Sequence, residues 1–244
     1  MASWSRSKNM KTFSVIIGIY NHLEYLPKLV ESLEKQTWKD FEVIFCDDGS
    51  NDGTEEWFKG RQFVFPHKYI RQKNRGMRLS RNLNNGMKVA EGKYFVLIMG
   101  DSFPETDYLF QMASFKGKHN LVCGVRVQVD KTENSIKAVD VDWRLKKGNI
   151  PNGNYIIIDN PHNAFTGNGL MFPRELYEKY GGWDEEIEGY GGDDCLFVAK
   201  AYFNGYICWS VATAVLYHYW HKNQAQGNNL KYINKKILEY ATKK

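Results

Sequence analysis

Acidic side chains stand at three points of this 244-residue sequence where a carboxylate has chemical options. Asp47 and Asp48 open a turn-rich Asp-Asp-Gly-Ser loop, Asp101 directly follows an apolar run, and the pair Asp193 and Asp194 follows Gly-Tyr-Gly-Gly. Such carboxylates can accept hydrogen bonds from a base or a ribose, bind a hard cation, or take a proton as a general base. The structural alternative is helix capping, because aspartates stabilise the first turn of a helix.

Asp101 and two late histidines, His218 and His221, carry groups suited to a divalent cation. Mg²⁺ or Mn²⁺ prefers oxygen ligands, including those of a diphosphate, and a neutral imidazole can complete such a shell. On a continuous strand, side chains three residues apart point to opposite faces, so we expect only one histidine to face the site. The alternative is that both are ordinary core or surface residues.

The elements that must position these residues alternate between strand and helix. Strands are predicted at 13–19, 41–46 and 94–99, with helices beginning near residues 26, 54 and 79. This order predicts an α/β fold with a Rossmann-like, mostly parallel sheet flanked by helices. Ligands of such sheets bind beyond the carboxyl ends of the strands, so the loops at 20–21, 47–48 and 100–101 should converge on one crevice.

The second half of the chain is less regular. We predict a strand over 121–129, a helix over 193–203 and a last strand over 212–219, with a polar stretch at 130–154. Beyond His221 the sequence turns basic, and its apolar residues recur at helical spacing. This tail is expected to close over the site, to bind a partner, or to make peripheral contact with a membrane.

Composition narrows the classes of protein. The net charge of +5 suits an anionic ligand and leaves nucleic acid possible. No apolar run is long enough to cross a membrane and the polar N-terminus lacks a leader pattern, so a cytoplasmic protein without a transmembrane segment is expected. The sequence contains neither a Gly-x-Gly-x-x-Gly nor a Walker lysine motif, which disfavours dinucleotide oxidoreductases and P-loop enzymes.

Five sequence blocks together resemble the family 2 glycosyltransferases, which have the GT-A fold and invert the sugar they transfer. The blocks occur in the order and spacing of that family. They are Ser14–Asn21, Ser32–Thr37, Asp47–Thr54, Asn74–Gly76 with Ser80–Asn82, and Gly92–Tyr94.

The resemblance implies a single catalytic domain over residues 13–222, with a nucleotide-sugar half at 13–101 and an acceptor half at 102–222. An N-terminal extension at 1–12 and a basic helical tail at 223–244 flank it. It implies a hexosyl transfer, most readily from a UDP-sugar. The acceptor stays open among a glycan, a lipid-linked sugar, a protein and a modified nucleic acid.

Residue roles follow from the same resemblance. The segment from Gly181 to Asp194 is similar to a galactosyltransferase-like Gly-Gly-Asp-Asp acceptor segment, which makes Asp194 the expected base and Asp193 a substrate contact. Mn²⁺ or Mg²⁺ is expected on Asp101 and His218, with His221 as the fallback. The remaining expected substrate contacts are Ile19, Tyr20, Asn21, Asp47, Asp48, Arg78, Arg81, Gly100, Trp183 and Tyr190, of which the two arginines would meet the diphosphate and the last two aromatic rings would stack on the sugar.

The chain departs from the family at the metal motif. The family usually supplies two acidic residues there, whereas this sequence reads Met99-Gly100-Asp101. Metal binding is then weaker, relies on His218, or has been lost. Two rival interpretations are a non-catalytic sugar-binding protein on a decayed transferase fold and a nucleotidyltransferase. The latter is disfavoured because no glycine-rich basic loop follows the first strand.

Overall fold

The first strand is buried along its whole length, which places it in the middle of a sheet covered on both faces. The computed structural model describes residues 10–131, 136–142, 155–189, 191–221 and 229–242. The strands are β1 (Phe13–Ile19), β2 (Phe41–Asp47), β3 (His67–Arg71), β4 (Tyr94–Met99), β5 (Ser102–Pro104), β6 (Asn120–Lys131), β7 (Ile136–Val141), β8 (Tyr155–Ile157), β9 (Leu170–Pro173) and β10 (Ile207–Tyr219).

Helices connect most of these strands. They are α1 (Leu26–Glu34), α2 (Thr54–Lys59), α3 (Leu79–Val89), α4 (Tyr108–Ala113), α5 (Arg174–Tyr180), α6 (Asp193–Phe203) and α7 (Leu230–Thr242), with a 3-10 turn at Pro161–Asn163. Each helix predicted from the sequence is present. None of the helices in the described ranges is both long and apolar enough to span a bilayer.

The sheet has the strand order β3-β2-β1-β4-β9-β6-β10-β5, with β7 beside β6 and β8 beside β10. Pairing is parallel among β3, β2, β1 and β4, as the alternating strands and helices predict. Beyond β4 the sheet is mixed, because β9 runs antiparallel to both β4 and β6, whereas β6 and β10 are parallel. The predicted α/β fold with a Rossmann-like first half is confirmed.

Alternate residues of β1 enter two different cores, one on each face of the sheet. Val15 and Ile17 pack with α1 residues such as Leu29, whereas Ile16 packs with Leu83 and Met87 of α3. All six side chains are essentially inaccessible to solvent. Burial on both faces explains why the strand reads as a continuous apolar run and fixes the positions of the loops at its carboxyl end.

Two polar residues fasten these layers. The side-chain amide of Gln36, just after α1, donates to the Glu105 carbonyl over 2.7 Å and accepts from the Leu109 amide over 3.0 Å. The buried Glu42 carboxylate accepts from the Ser14 hydroxyl over 2.6 Å and from the Gly92 amide over 3.1 Å. Gln36 therefore holds α1 against the segment that follows β5, and Glu42 ties together the amino ends of β1, β2 and β4.

Candidate active site

The carboxyl ends of β1, β2 and β4 meet at one edge of the sheet. The Gly100 amide donates to the Gly18 carbonyl over 2.8 Å, and the Asp48 amide donates to the Ile19 carbonyl over 2.9 Å. These bonds extend the parallel ladders past the last residues of β4 and β2. The loops at residues 20–21, 47–48 and 100–101 therefore converge, as the strand pattern predicts. Ile19 itself is buried and contributes through its backbone.

Asp47 is fully buried, and each of its carboxylate oxygens has protein partners. Oδ1 accepts from the amide and hydroxyl of Ser50 over 2.8 and 2.6 Å. Oδ2 accepts from the Tyr69 hydroxyl over 2.6 Å and lies 3.3 Å from Nε of Arg71. These partners saturate the group, so Asp47 shapes the loop and does not reach into the crevice.

Asp48 is held by the segment that leads into α3. Its Oδ2 atom accepts from the Arg78 amide over 2.8 Å, and Oδ1 accepts from the Gln72 side chain. The Arg78 guanidinium donates to the Lys73 carbonyl, and its Nε atom is buried without a hydrogen-bond partner among the described residues. Asp48 and Arg78, both predicted to contact the substrate, are therefore joined by a hydrogen bond in the structure.

The loop after β1 is locked to the loop after β2 by Asn21. This residue adopts a left-handed backbone with φ 53°, a conformation that asparagine tolerates better than most residues. Its amide donates to the Ser50 hydroxyl over 2.9 Å, and its side-chain oxygen accepts from the Asn51 amide over 2.8 Å. The neighbouring Tyr20 is 41% exposed, and its hydroxyl accepts from Asn74 over 3.3 Å. Asn21 is therefore a loop fastener, and Tyr20 presents its ring at the surface of the crevice.

Both late histidines reach the Asp101 carboxylate. Nε2 of His218 lies 3.4 Å and Nε2 of His221 lies 3.3 Å from the same oxygen, Oδ2. The Asp101 and His218 side chains are 10% and 11% exposed, and the His221 side chain is 41% exposed. One donor atom from each residue lies within 4.8 Å of the others, so the three form a possible metal site.

The end of β10 explains this arrangement and corrects the expectation that only one histidine faces the site. His218 lies opposite Ser102 of β5 in the antiparallel pair, and the Tyr219 amide donates to the Asp101 carbonyl over 3.0 Å. The strand ends at Tyr219. Because His221 lies beyond the strand, it no longer follows the alternation of faces, and its ring returns to Asp101. Gln128 of β6 contacts Nδ1 of His218 over 2.7 Å and orients that ring.

A third histidine, His22, also faces Asp101 and was not predicted. Its Nε2 atom lies 3.9 Å from Asp101 Oδ2. Burial is the main influence on His22 and lowers its pKa, which favours a neutral imidazole with a free lone pair. Burial would raise the pKa of Asp101, but the imidazoles of His218, His221 and His22 together hold it below its ordinary value. The sequence signal was a histidine two residues past Tyr20, in a loop already assigned to the crevice.

Asp193 and Asp194 begin α6, as predicted. Gly192 caps the helix in a left-handed conformation with φ 90°. Burial, and next the negative charge of Asp194, raises the pKa of Asp193. Asp194 accepts from the Cys195 amide over 2.8 Å and from the Gly167 amide over 3.3 Å.

The segment Gly167–Asn168 joins Asp194 to the end of β4. While the Gly167 amide contacts Asp194, the Asn168 side chain accepts from the Met99 amide over 3.0 Å and donates to the Ser102 hydroxyl over 2.8 Å. Met99 and Ser102 flank Gly100 and Asp101 in sequence. Asn168, which the sequence did not single out, thus ties the candidate base to the candidate metal site, and the two belong to one crevice.

Three predicted contacts differ in placement from the rest. Trp183 is 3% exposed and packs edge-on against Phe197 at 3.9 Å between ring centroids, so the stacking role predicted for it is corrected to a core role. Arg81 is half exposed and donates to Glu185 over 2.9 Å, so its charge is partly neutralised, and its contact with a diphosphate stays a prediction. Tyr190 lies outside the described residues.

Several solved structures share this fold. The structure of S. aureus TarS 1–349 in complex with UDP-GlcNAc matches with a TM-score of 0.75 at 18% identity, over 94% of this chain and 66% of that chain. GalNAc-T7 with UDP, GalNAc and Mn²⁺ matches with a TM-score of 0.68 at 17% identity, over 96% of this chain and 49% of that chain. The fold is that of the GT-A glycosyltransferases.

Residues 14–181 match the family model of Glycosyl transferase family 2. This match covers more than half of the chain, and the protein belongs to that family. Chondroitin synthase from Escherichia coli is 26% identical over 84% of this chain, and hyaluronan synthase from Pasteurella multocida is 24% identical over 84%. The chain spans only 34% and 24% of the lengths of these two relatives.

Proposed function

We propose that the protein transfers a hexosyl unit from a UDP-sugar to an acceptor hydroxyl, with inversion at the anomeric carbon and with the help of Mn²⁺ or Mg²⁺. Family membership supports sugar transfer. The complexes of TarS with UDP and with UDP-GlcNAc support a uridine diphosphate donor. The names of the chondroitin and hyaluronan synthases favour a glycan acceptor over a lipid-linked sugar, a protein or a modified nucleic acid.

The nucleoside of the donor is proposed to bind in the crevice between Tyr20 and Asp48. Tyr20 offers an exposed ring, and Asp48 lies at the end of β2 with its carboxylate oriented by the Arg78 amide. Carboxylates in this position of an α/β sheet accept hydrogen bonds from bases and ribose hydroxyls. The Arg78 guanidinium follows directly and supplies positive charge for a phosphate oxygen.

Asp101, His218 and His221 are the residues proposed to hold the cation. Their mixed oxygen and nitrogen donors, within 4.8 Å of one another, fit a divalent ion that also binds a diphosphate. A bound cation of this kind would neutralise charge on the departing nucleoside diphosphate. Gln128 holds the His218 ring in the orientation that directs Nε2 toward Asp101.

Asp194 is proposed as the general base. Its carboxylate would accept the proton of the acceptor hydroxyl as that oxygen attacks the anomeric carbon and the bond from that carbon to the diphosphate oxygen breaks. One displacement of this kind inverts the anomeric centre. The Gly167 and Cys195 amides donate to the carboxylate and fix it at the start of α6.

The observation that carries this proposal is the connection through Gly167 and Asn168. It joins a candidate base on one segment to a possible metal site on another through three hydrogen bonds of 2.8 to 3.3 Å. A direct displacement with inversion requires the base and the leaving-group site on opposite sides of one sugar carbon, and therefore within one crevice. The presence of Asp101, Asp194 and the histidines in one crevice supports an active enzyme over a decayed binding protein.

The experiment is a transfer and donor-hydrolysis assay with a panel of nucleotide sugars and glycan acceptors, for wild type and Asp194→Asn. We expect UDP to be released and the product to have the inverted anomeric configuration by NMR. Asp194→Asn should lower kcat by about 10²- to 10⁴-fold while UDP still binds. Asp40→Asn, at the amino edge of the sheet before β2, is the matched control. Release of pyrophosphate would contradict the proposal in favour of nucleotidyl transfer, and absence of turnover with every donor would favour a binding protein.

A further inference from the structure

His22 lies beside the candidate metal site, and one of its ring nitrogens is buried without a hydrogen-bond partner among the described residues. This nitrogen is Nδ1. The Nε2 atom of the same ring lies 3.9 Å from Asp101 Oδ2, which is too long for a hydrogen bond. A buried polar atom without a partner is costly, and such atoms in native proteins usually have a function or an additional ligand.

The backbone around His22 is fixed, and space is reserved for the ring. The His22 carbonyl accepts from the Tyr25 amide over 2.9 Å and from the Leu26 amide over 3.2 Å at the start of α1. A Cβ on Gly100 would lie 2.6 Å from His22 Nδ1, so no larger residue fits at position 100 without moving the ring. His22 therefore occupies a built position beside Asp101.

The separations around Asp101 are those of ligands that share a cation. Nε2 atoms of three histidines lie 3.3, 3.4 and 3.9 Å from one carboxylate oxygen. Two donors about 2.1 Å from one ion are roughly 3.0 Å apart at a right angle and roughly 3.4 Å apart at the tetrahedral angle. His218 and His221 fall in this range, whereas His22 lies outside the group of three whose donor atoms are within 4.8 Å of one another and has to move toward it to share the cation.

A group of metal ligands with one carboxylate and several imidazoles binds cations differently from a group of carboxylates. Met99 occupies the strand position where a second carboxylate would add negative charge, so Asp101 is the only acidic member of the cluster. Both Mn²⁺ and Mg²⁺ prefer oxygen ligands, but Mn²⁺, as a transition-metal ion, accepts imidazole nitrogen more readily than Mg²⁺ does. Replacing a carboxylate by imidazoles therefore shifts the preference of the site away from Mg²⁺.

We propose that His22 is a third imidazole ligand of the Asp101 site and that it makes the site selective for Mn²⁺ over Mg²⁺. The inference rests on the proposed metal-assisted function and deepens it, because it names the residue that selects the cation. His22 comes from the loop after β1 and the other two histidines from the end of β10, so that the cation would have imidazole ligands from two segments of the chain besides Asp101.

The test compares wild type, His22→Ala and His22→Gln, with His119→Ala as the matched control, because His119 is an exposed histidine at the amino end of β6. Mn²⁺ and Mg²⁺ are titrated by calorimetry with and without UDP. Pulsed EPR on ¹⁵N-histidine-labelled protein reports the imidazole nitrogens bound to Mn²⁺. Thermal unfolding without metal shows that each variant is folded, and His22→Gln replaces His22→Ala if the smaller side chain destabilises the protein.

We expect His22→Ala to weaken Mn²⁺ binding about tenfold or more and Mg²⁺ binding much less, with loss of one ¹⁵N coupling. An unchanged ratio of Mn²⁺ to Mg²⁺ affinity with unchanged couplings would overturn the proposal. Binding of Mn²⁺ through three nitrogens without any binding of UDP would support the role of His22 and contradict the proposed function. The two failures are therefore distinguishable.

Discussion

Ile233 of the C-terminal helix packs directly against Gly192, the residue before the Asp193 and Asp194 pair. A Cβ on Gly192 would lie only 2.0 Å from Cδ1 of Ile233. The hydroxyl of the adjacent residue, Tyr232, donates to Asp184 over 2.8 Å. The basic tail thus packs its apolar face on the acceptor segment, which supports the interpretation that it closes over the site.

Ile233→Ala should loosen this segment. The residue is 4% exposed, and removal of its buried methyl groups should lower the free energy of unfolding by about 2 kcal/mol or more. Because the contact is to Gly192, two residues before the candidate base Asp194, kcat for transfer should fall about tenfold while UDP affinity changes little. Leu238→Ala is the control, because Leu238 lies on the same helix and is 65% exposed. Equal transfer rates for both variants would show that the helix does not position the base.

Asp47→Asn should destabilise the protein more than it alters chemistry. The amide nitrogen of asparagine would face donors from Ser50, Tyr69 or Arg71, since all of the Asp47 partners donate. Loss of this buried charge should cost about 3 kcal/mol in the free energy of unfolding. Urea unfolding measures the change, and the exposed Asp40→Asn should cost less than about 1 kcal/mol. Equal losses of unfolding free energy in Asp47→Asn and Asp40→Asn would argue against a structural role for the hydrogen-bonded Asp47 carboxylate.

Substitution of Arg78 and substitution of Arg81 should have different effects on UDP affinity. Arg78→Ala removes a guanidinium beside Asp48 and should weaken UDP binding about tenfold, the loss expected for one charge-assisted hydrogen bond. Arg81→Ala should leave UDP affinity within about twofold, because the Arg81 guanidinium is paired with Glu185. Isothermal titration of both variants checks this order, and a larger effect at Arg81 would place the diphosphate elsewhere.

Asp193 should make stability depend on pH. Burial and the charge of Asp194 raise the pKa of Asp193, so the folded state keeps this proton to higher pH than the unfolded state does. The free energy of unfolding should therefore fall as pH rises from about 4 toward neutrality. Asp193→Asn should remove this fall and gain about 1–3 kcal/mol at pH 8 relative to pH 4. A variant whose free energy of unfolding differs from that of wild type by the same amount at both pH values would contradict the assignment.

The parallel half of the fold follows from local pattern. Runs such as Phe13–Ile19 are buried on both faces of the sheet. Because the strands are parallel, the loops at their carboxyl ends lie at one edge of the sheet, independent of the side chains in those loops. Predicted bounds for β1 and α6 agree with the structure. The strands β5, β7 and β8 were not predicted because they are short or polar, and their pairing with β10 and β6 is set by distant neighbours.

The residues of the candidate site likewise divide into those that the local sequence pattern predicted and those that it did not. Asp48, Asp101 and Asp194 were found because each follows a strand or starts a helix. His22, Gln128 and Asn168 were missed because their roles arise from contacts between residues 69 to 90 positions apart in the sequence. Trp183 was misassigned because an aromatic residue beside a glycine turn has the same sequence signature in a core as on a sugar platform.

The most direct test of the central claim is calorimetric titration of UDP into wild type and Asp101→Asn, each with and without Mn²⁺, with Asp40→Asn as the control. The account predicts that Mn²⁺ strengthens UDP binding to wild type and to Asp40→Asn, and that Asp101→Asn loses this gain while remaining folded. UDP binding that is equally strong in Asp101→Asn with Mn²⁺, or absent from the wild type under both conditions, would contradict it.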